Sequence, residues 1–175
     1  MTRGCAHMHD PSVPRHKHPV ESTRSISELA GDDEEDTALL LDMKEEALDF
    51  LAGKDWCRRI TDIYWGDGIG GVVAVFLFAF ESAPGVDALA TPAWCVVGDL
   101  PPLLLPCLGR QDTPVAVLER YCSELEKWAQ SVSRGEGGSG CVPVAVAPTA
   151  EHVEMLQTRV RSLREDVIPE LRLGR

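Results

Sequence analysis

Outside its first 18 residues the chain has almost no histidine. His152 is the one later histidine, the other four being His7, His9, His16 and His18. A Cys or Ser nucleophile needs an activating base, so the body of the chain offers little for nucleophilic catalysis beyond what folding brings to His152. Bases are also scarce, with 17 Lys and Arg against 28 Asp and Glu, a formal net charge of -11 and a pI near 4.8. Phosphate affinity comes from clustered Lys and Arg, so a general nucleic-acid binder is excluded. No apolar run is long enough to cross a bilayer. The most apolar stretch, Ile69 to Phe80, falls short of the roughly 20 residues a spanning helix needs, and no membrane association is expected. The six cysteines, at 5, 57, 95, 107, 122 and 141, form no C-x-x-C pair, which excludes a zinc ribbon. The start lacks a basic segment followed by an apolar one, so no secretory signal is expected. Reduced thiols in a cytoplasmic protein follow.

What the chain does hold is centred on Ile60 to Glu81. Two β-branched and aromatic segments flank a turn with several glycines, and the pattern predicts a hairpin. Val72 to Phe80 is apolar on both alternating faces, so this strand is expected to be covered on both sides, at least in part. Gly66, Gly68 and Gly71 spell G-x-G-x-x-G. In a dinucleotide site those glycines lead into a helix whose N-terminus seats a pyrophosphate. Here a strand is expected to follow, so the glycines are assigned to a bulged hairpin turn with positive φ, and no cofactor is expected.

Residues 1–36 have little apolar periodicity and end in the acidic run Asp32 to Asp36, a composition that predicts a disordered tail ahead of a domain over 37–175. The H-x-H pairs His7/His9 and His16/His18 are candidate ligands for Zn, Ni or Cu. Unstructured spacer is the plainer reading, because a structural zinc site wants four ligands held in place.

A first helix is expected from Thr37 to about Leu51, capped by Asp36 or Thr37 and ended by Gly53. Leu40, Met43, Ala47 and Leu51 form its buried stripe, widened by Leu41 and Leu48. Acids such as Glu45, Glu46 and Asp49 face water. Ala93 to Val97 reads as a third strand, antiparallel to the one before it. Leu103 to Leu105, after Pro101 and Pro102, reads as a short edge strand or a hydrophobic plug, and if exposed it would be a partner-binding patch. A second helix begins with Thr113 as cap and Pro114 at its first position, and stops before Gly135. Val142 to Val146 is expected to be a further strand, confined to an edge by Pro143. A third helix opens at Pro148–Thr149 with a seam of Val153, Leu156, Val160, Leu163 and Val167, expected to dock on the sheet, with a partner or dimer seam as the alternative.

The expected fold is therefore α+β, a mostly antiparallel sheet of three to four strands packed by three helices. Two functions are compatible with it. The first is a non-enzymatic, acidic interaction or inhibitor-like module with a basic protein partner. The second is a small-molecule binder or hydrolase using a rim near Trp65, Asp67 and Asp99. Asp99 sits where a strand hands over to a loop, a common place for a ligand-binding acid. The second function requires the three side chains to converge on one pocket.

Overall fold

The computed structural model describes residues 19–54, 57, 59–81 and 92–174. The expected hairpin is present and central. Strands β2 (Ile60–Ile69) and β3 (Val73–Phe80) pair antiparallel, and β3 then pairs with β4 (Ala93–Gly98). Two short strands complete the edges, β1 (Arg24–Ser25) beside β2 and β5 (Leu103–Pro106) beside β4, so the sheet has five strands in the order β1-β2-β3-β4-β5. All its pairings are antiparallel. The fold is α+β as expected, with five strands where three to four were expected; β5 takes the edge-strand reading of its segment, and β1 was not foreseen.

The glycine motif serves packing as much as turning. Gly71 alone of its three glycines has a positive φ, +72°. Gly66 lies at a register shift between Trp65 and Asp67. A Cβ there would meet the Val75 carbonyl oxygen at 2.7 Å, and one on Gly68 would meet that of Val73 at 2.5 Å. Two of the glycines thus let β2 lie against its neighbour, where positive φ was expected.

Both faces of β3 are covered, because its residues alternate between two cores. Val73, Val75 and Leu77 join Trp94 and Val96 under helix α2 (Pro114–Ser133). Ala74, Phe76 and Phe78 join Trp65, Cys95 and Val97 under helix α1 (Glu34–Ala52). α2 has the predicted ends: the Thr113 hydroxyl accepts from the Ala116 N–H at 3.1 Å, and Pro114 follows it. α1 begins three residues earlier than expected because Asp33, not Asp36 or Thr37, is the cap, accepting from the Asp36 N–H at 2.8 Å. Its buried stripe is the predicted Leu40, Met43, Ala47 and Leu51, whereas Leu41 stays 45% exposed. At about 100° per residue Leu41 is turned too far from the stripe to reach the sheet.

The expected tail is folded over the part that is described. Val20 is fully buried in the core under α2, Leu29 in the core under α1, and β1 and a short 3-10 turn, Ile26–Glu28, lie between them. This segment straps the two layers together around the edge of β2. No sequence periodicity announces a two-residue strand.

Two expectations fail near the C-terminus. Val142 to Val146 forms no strand. Its alternate valines do pack against the core under α2, so the alternation is real, but the segment has no ladder and Pro143 has no N–H to give one. The third helix is divided into α3 (Ala150–Ser162), a π turn over Leu163–Val167 and α4 (Ile168–Leu173). Pro169 cannot donate to the carbonyl four residues back, and the wider turn precedes it. The predicted seam is buried along its length, and α3 and α4 pack chiefly on α2, where docking on the sheet was expected. Leu103 and Leu105 on β5 are buried and only Leu104 is partly open, so this segment is an edge strand and not the exposed patch that partner binding required. No described helix is long and apolar enough to cross a membrane.

Candidate interaction surface

The buried stripe of α1 fixes which side chains face outward. With Leu40, Met43, Ala47 and Leu51 against the sheet, the helical period places Glu35, Asp42, Glu45, Glu46 and Asp49 on the opposite side, and all five residues are exposed. Two exposed leucines flank that face, Leu39 at 40% and Leu41 at 45%. Leu39 lies against the β2–β3 turn at Gly70 and Gly71, and the next residue, Val72, is itself 37% exposed. The turn is fixed to the helix by the Gly70 N–H, which donates to the Asp36 carboxylate at 2.6 Å.

Four of the five carboxylates on this face form no ion pair among the described residues. Residues 32–49 hold nine acids and one lysine, a net of -8 within a chain of net -11. Lys44 pairs with Glu45 at 2.7 Å. Among the described residues no ion pair involves Glu35, Asp42, Glu46 or Asp49. α2 shows the contrary pattern: Glu119 pairs with Arg172, Glu124 with Lys127 and Glu126 with Arg164. Asp42 faces Glu45 and Glu46, and Asp49 faces the same two, at i,i+3 and i,i+4. Four like-charge pairs at about 0.2–0.5 kcal/mol each destabilise the isolated helix by roughly 1–2 kcal/mol. Partial burial also pushes the Glu46 carboxyl above its ordinary value. A local rule broken without compensation inside the fold is where function is to be looked for.

The residues singled out from the sequence lie apart. Trp65 is 1% exposed, its ring centroid 5.3 Å from that of Phe76, with the Arg24 guanidinium 5.9 Å from its centroid. Asp67 lines an open groove with Arg24, Asp32 and Pro114, and its carboxylate accepts from the Gly68 N–H at 3.0 Å. Asp99 lines a different depression with Tyr121, Leu100 and Val167, where it pairs with Arg159 at 3.0 Å. Asp67 stands opposite Val75, Val75 opposite Val96, and Asp99 three residues farther on. Strand spacing and rise therefore separate the two Cα atoms by about 14 Å. The Asp99 depression holds a cavity of about 40 Å³, room for about one water, far below the few hundred Å³ of a typical ligand pocket.

Other catalytic possibilities are equally undersupplied. Burial pushes the Cys95 thiol up to about 12 and that of Cys122 up to about 11, so neither supplies a thiolate near neutral pH. The His152 Nδ1 is occupied, 2.9 Å from the Ala147 carbonyl and 3.0 Å from the Thr149 hydroxyl. No group of three potential metal ligands occurs among the described residues. His7, His9, His16 and His18 lie outside them.

Sequence reading missed one buried polar centre. The Asp112 side chain is 4% exposed. It takes both Arg120 terminal nitrogens at 2.9 Å, the Trp94 indole N–H at 3.0 Å and the Leu108 N–H at 3.2 Å. It ties the β5–α2 connection to β4. Asp112 precedes the Thr113 cap of α2, so no helical spacing links it to Arg120, and Trp94 comes from another strand; neither gave a signal. No family model, curated protein or solved structure matches the chain.

Proposed function

We propose that the protein works by binding a basic protein partner and not by catalysis, as an adaptor-like or inhibitor-like module. The observation that carries this reading is the concentration of carboxylates without an ion pair on the outward face of α1, where the acids of α2 are each paired with a Lys or Arg. Such a surface draws a cationic partner in from a distance, raises its association rate and selects against acidic competitors. The separation of Asp67 from Asp99 and the burial of Trp65 favour this reading over a small-molecule site on that rim.

The test is capture on the immobilised full chain. At about 0.1 M salt, where charges act over about 10 Å, a basic protein is retained; at about 1 M, where the reach is about 3 Å, it is released. Failure to retain any protein in a salt-dependent manner contradicts the proposal.

A further inference from the structure

The π turn and the two helices it joins, α3 and α4, form an outer layer of their own. This arm reaches the rest of the molecule chiefly through α2. Three arginines fasten it, and each acceptor belongs to the body: Arg159 pairs with Asp99, Arg164 with Glu126 and Arg172 with Glu119. All six side chains are at least 36% exposed, and ion pairs so open to water add little stability. Where the arm comes near the sheet its packing is incomplete, with a cavity of about 40 Å³ lined by its Leu163 and Val167 and by Val73 and Val97. The connection from α2 is also loosely held. Residues 135–149 form neither helix nor strand, and Gly135, Gly137, Gly138 and Gly140 have positive φ. Among the described residues, the backbone N–H groups of this connection bond only within it or to the last turn of α2. α2 itself is anchored without the arm. Asp112 holds Arg120 at 2.9 Å, the Tyr121 hydroxyl donates to the Pro101 carbonyl at 2.9 Å, and the helix packs across β2 to β5.

We infer that the arm is a detachable cover: α3, the π turn and α4 leave α2 together on the glycine tether, while the sheet, α1 and α2 stay folded. Sub-global opening of this kind belongs to units that depend on a single neighbour. What the opening uncovers is Cys122. Glu119, Ser123 and Glu126 all bond the arm, and Cys122 lies three residues after the first and four before the last, on the same side of α2. It is fully buried in the core that holds the arm's apolar seam. Cys95 is equally buried but lies in the other core, under α1. Opening therefore brings one buried thiol to solvent and leaves the other covered.

The test is alkylation of the full chain with N-ethylmaleimide under native conditions, quenched at intervals and read cysteine by cysteine from peptide masses. Cys122 is expected to react at least about tenfold faster than Cys95. Its rate should also respond less to low urea, because a local opening exposes less surface than complete unfolding. Two variants separate the openings. Leu156→Ala, in the arm's seam, weakens the closed arm and the whole fold alike, so both cysteines should react at least about tenfold faster. Leu40→Ala, in the core under α1, leaves the arm's docking intact; Cys95 should speed by a similar factor and Cys122 should not change. A second measurement needs no variant. In hydrogen exchange of the wild type, peptides from 150–173 are expected to lose protection together while those of α2 keep theirs. Equal rates at the two cysteines, or a Leu40→Ala effect shared by both, would mean that the arm leaves only when everything unfolds, and would overturn the inference. So would loss of protection in α2 together with the arm, since the opening unit would then include the helix it is meant to uncover.

Discussion

Asp112→Ala is expected to lower the free energy of unfolding by about 3–5 kcal/mol, the range for removing one partner of a buried charge pair. The loss exceeds that of an ordinary surface ion pair because one carboxylate serves three donor groups: the Arg120 guanidinium, the Trp94 indole and the Leu108 N–H. With the carboxylate gone, a fully buried indole N–H and a half-buried guanidinium are left to find new partners. Urea denaturation gives the difference directly. Asp112→Asn keeps an acceptor for Trp94 but turns an amide donor toward Arg120 or away from it, and is expected to fall between the wild type and the alanine variant.

The same carboxyl sets a pH dependence. Burial alone would raise its pKa; the Arg120 hydrogen bonds and charge, the Leu108 N–H and the Trp94 indole outweigh that and hold it below the ordinary carboxylate range. A folded-state pKa below the unfolded one, near 3.9, contributes stability that is fully present above the unfolded value. That contribution is lost as the pH falls through the folded one. Wild-type stability should therefore drop below about pH 4, and the alanine variant should lose less over the same range. An equal drop in both would place the acid sensitivity in other carboxylates.

Gly98→Ala is expected to cost about 3 kcal/mol or more, combining steric overlap with backbone strain. Gly98 has a φ of +141°, and an added Cβ would lie 2.3 Å from the Val72 carbonyl oxygen and 2.9 Å from the Val73 Cα. Both are backbone atoms at the turn end of the central hairpin, so no side chain moves aside to make room. The Asp99 N–H donates to that same Val72 carbonyl at 3.0 Å, so the substitution also disturbs the chain leading to the Asp99–Arg159 pair. Gly109 provides the control. Its φ is +140°, and nothing lies within 4 Å of an added Cβ. Gly109→Ala therefore carries the strain without the overlap, and should cost about 1–3 kcal/mol. Equal effects at the two positions would show that strain alone matters at Gly98.

These two sites mark how far the sequence could be read. The hairpin, the buried stripe of α1 and the ends of α2 were legible because each rests on local physics: β-branched content, a 3.6-residue period, or a Thr-Pro start. The Asp112 centre was not, because its donors come from β4, the β5–α2 connection and α2, and their meeting depends on strand order. The two-residue β1 is below any periodicity, and the Val142–Val146 segment carries strand-like alternation without a neighbouring strand to pair with. On the functional side, the acidity of α1 was plain, but its solvated carboxylates read as an ordinary wet face. Their distinction appears only by contrast with Glu119, Glu124 and Glu126, whose partners Arg172, Lys127 and Arg164 are set in place by the fold. The three residues proposed from their chain positions, Trp65, Asp67 and Asp99, illustrate the opposite difficulty. The alternation of a bulged strand does not reveal which side chain is buried, and nearness to one hairpin is not convergence on one pocket.

The central claim is that the carboxylates of α1 repel one another and are left for a partner to neutralise. Its most direct test is the salt dependence of thermal unfolding for the wild type and for Asp42→Asn/Glu46→Gln/Asp49→Asn. The account predicts that at low salt the neutralised variant is the more stable by about 1 kcal/mol, a rise in Tm of about 3 °C for a chain of this size, and that about 1 M salt closes the gap. A variant no more stable than the wild type, or a gap that salt leaves unchanged, would show that these charges are already compensated within the fold and would contradict the account.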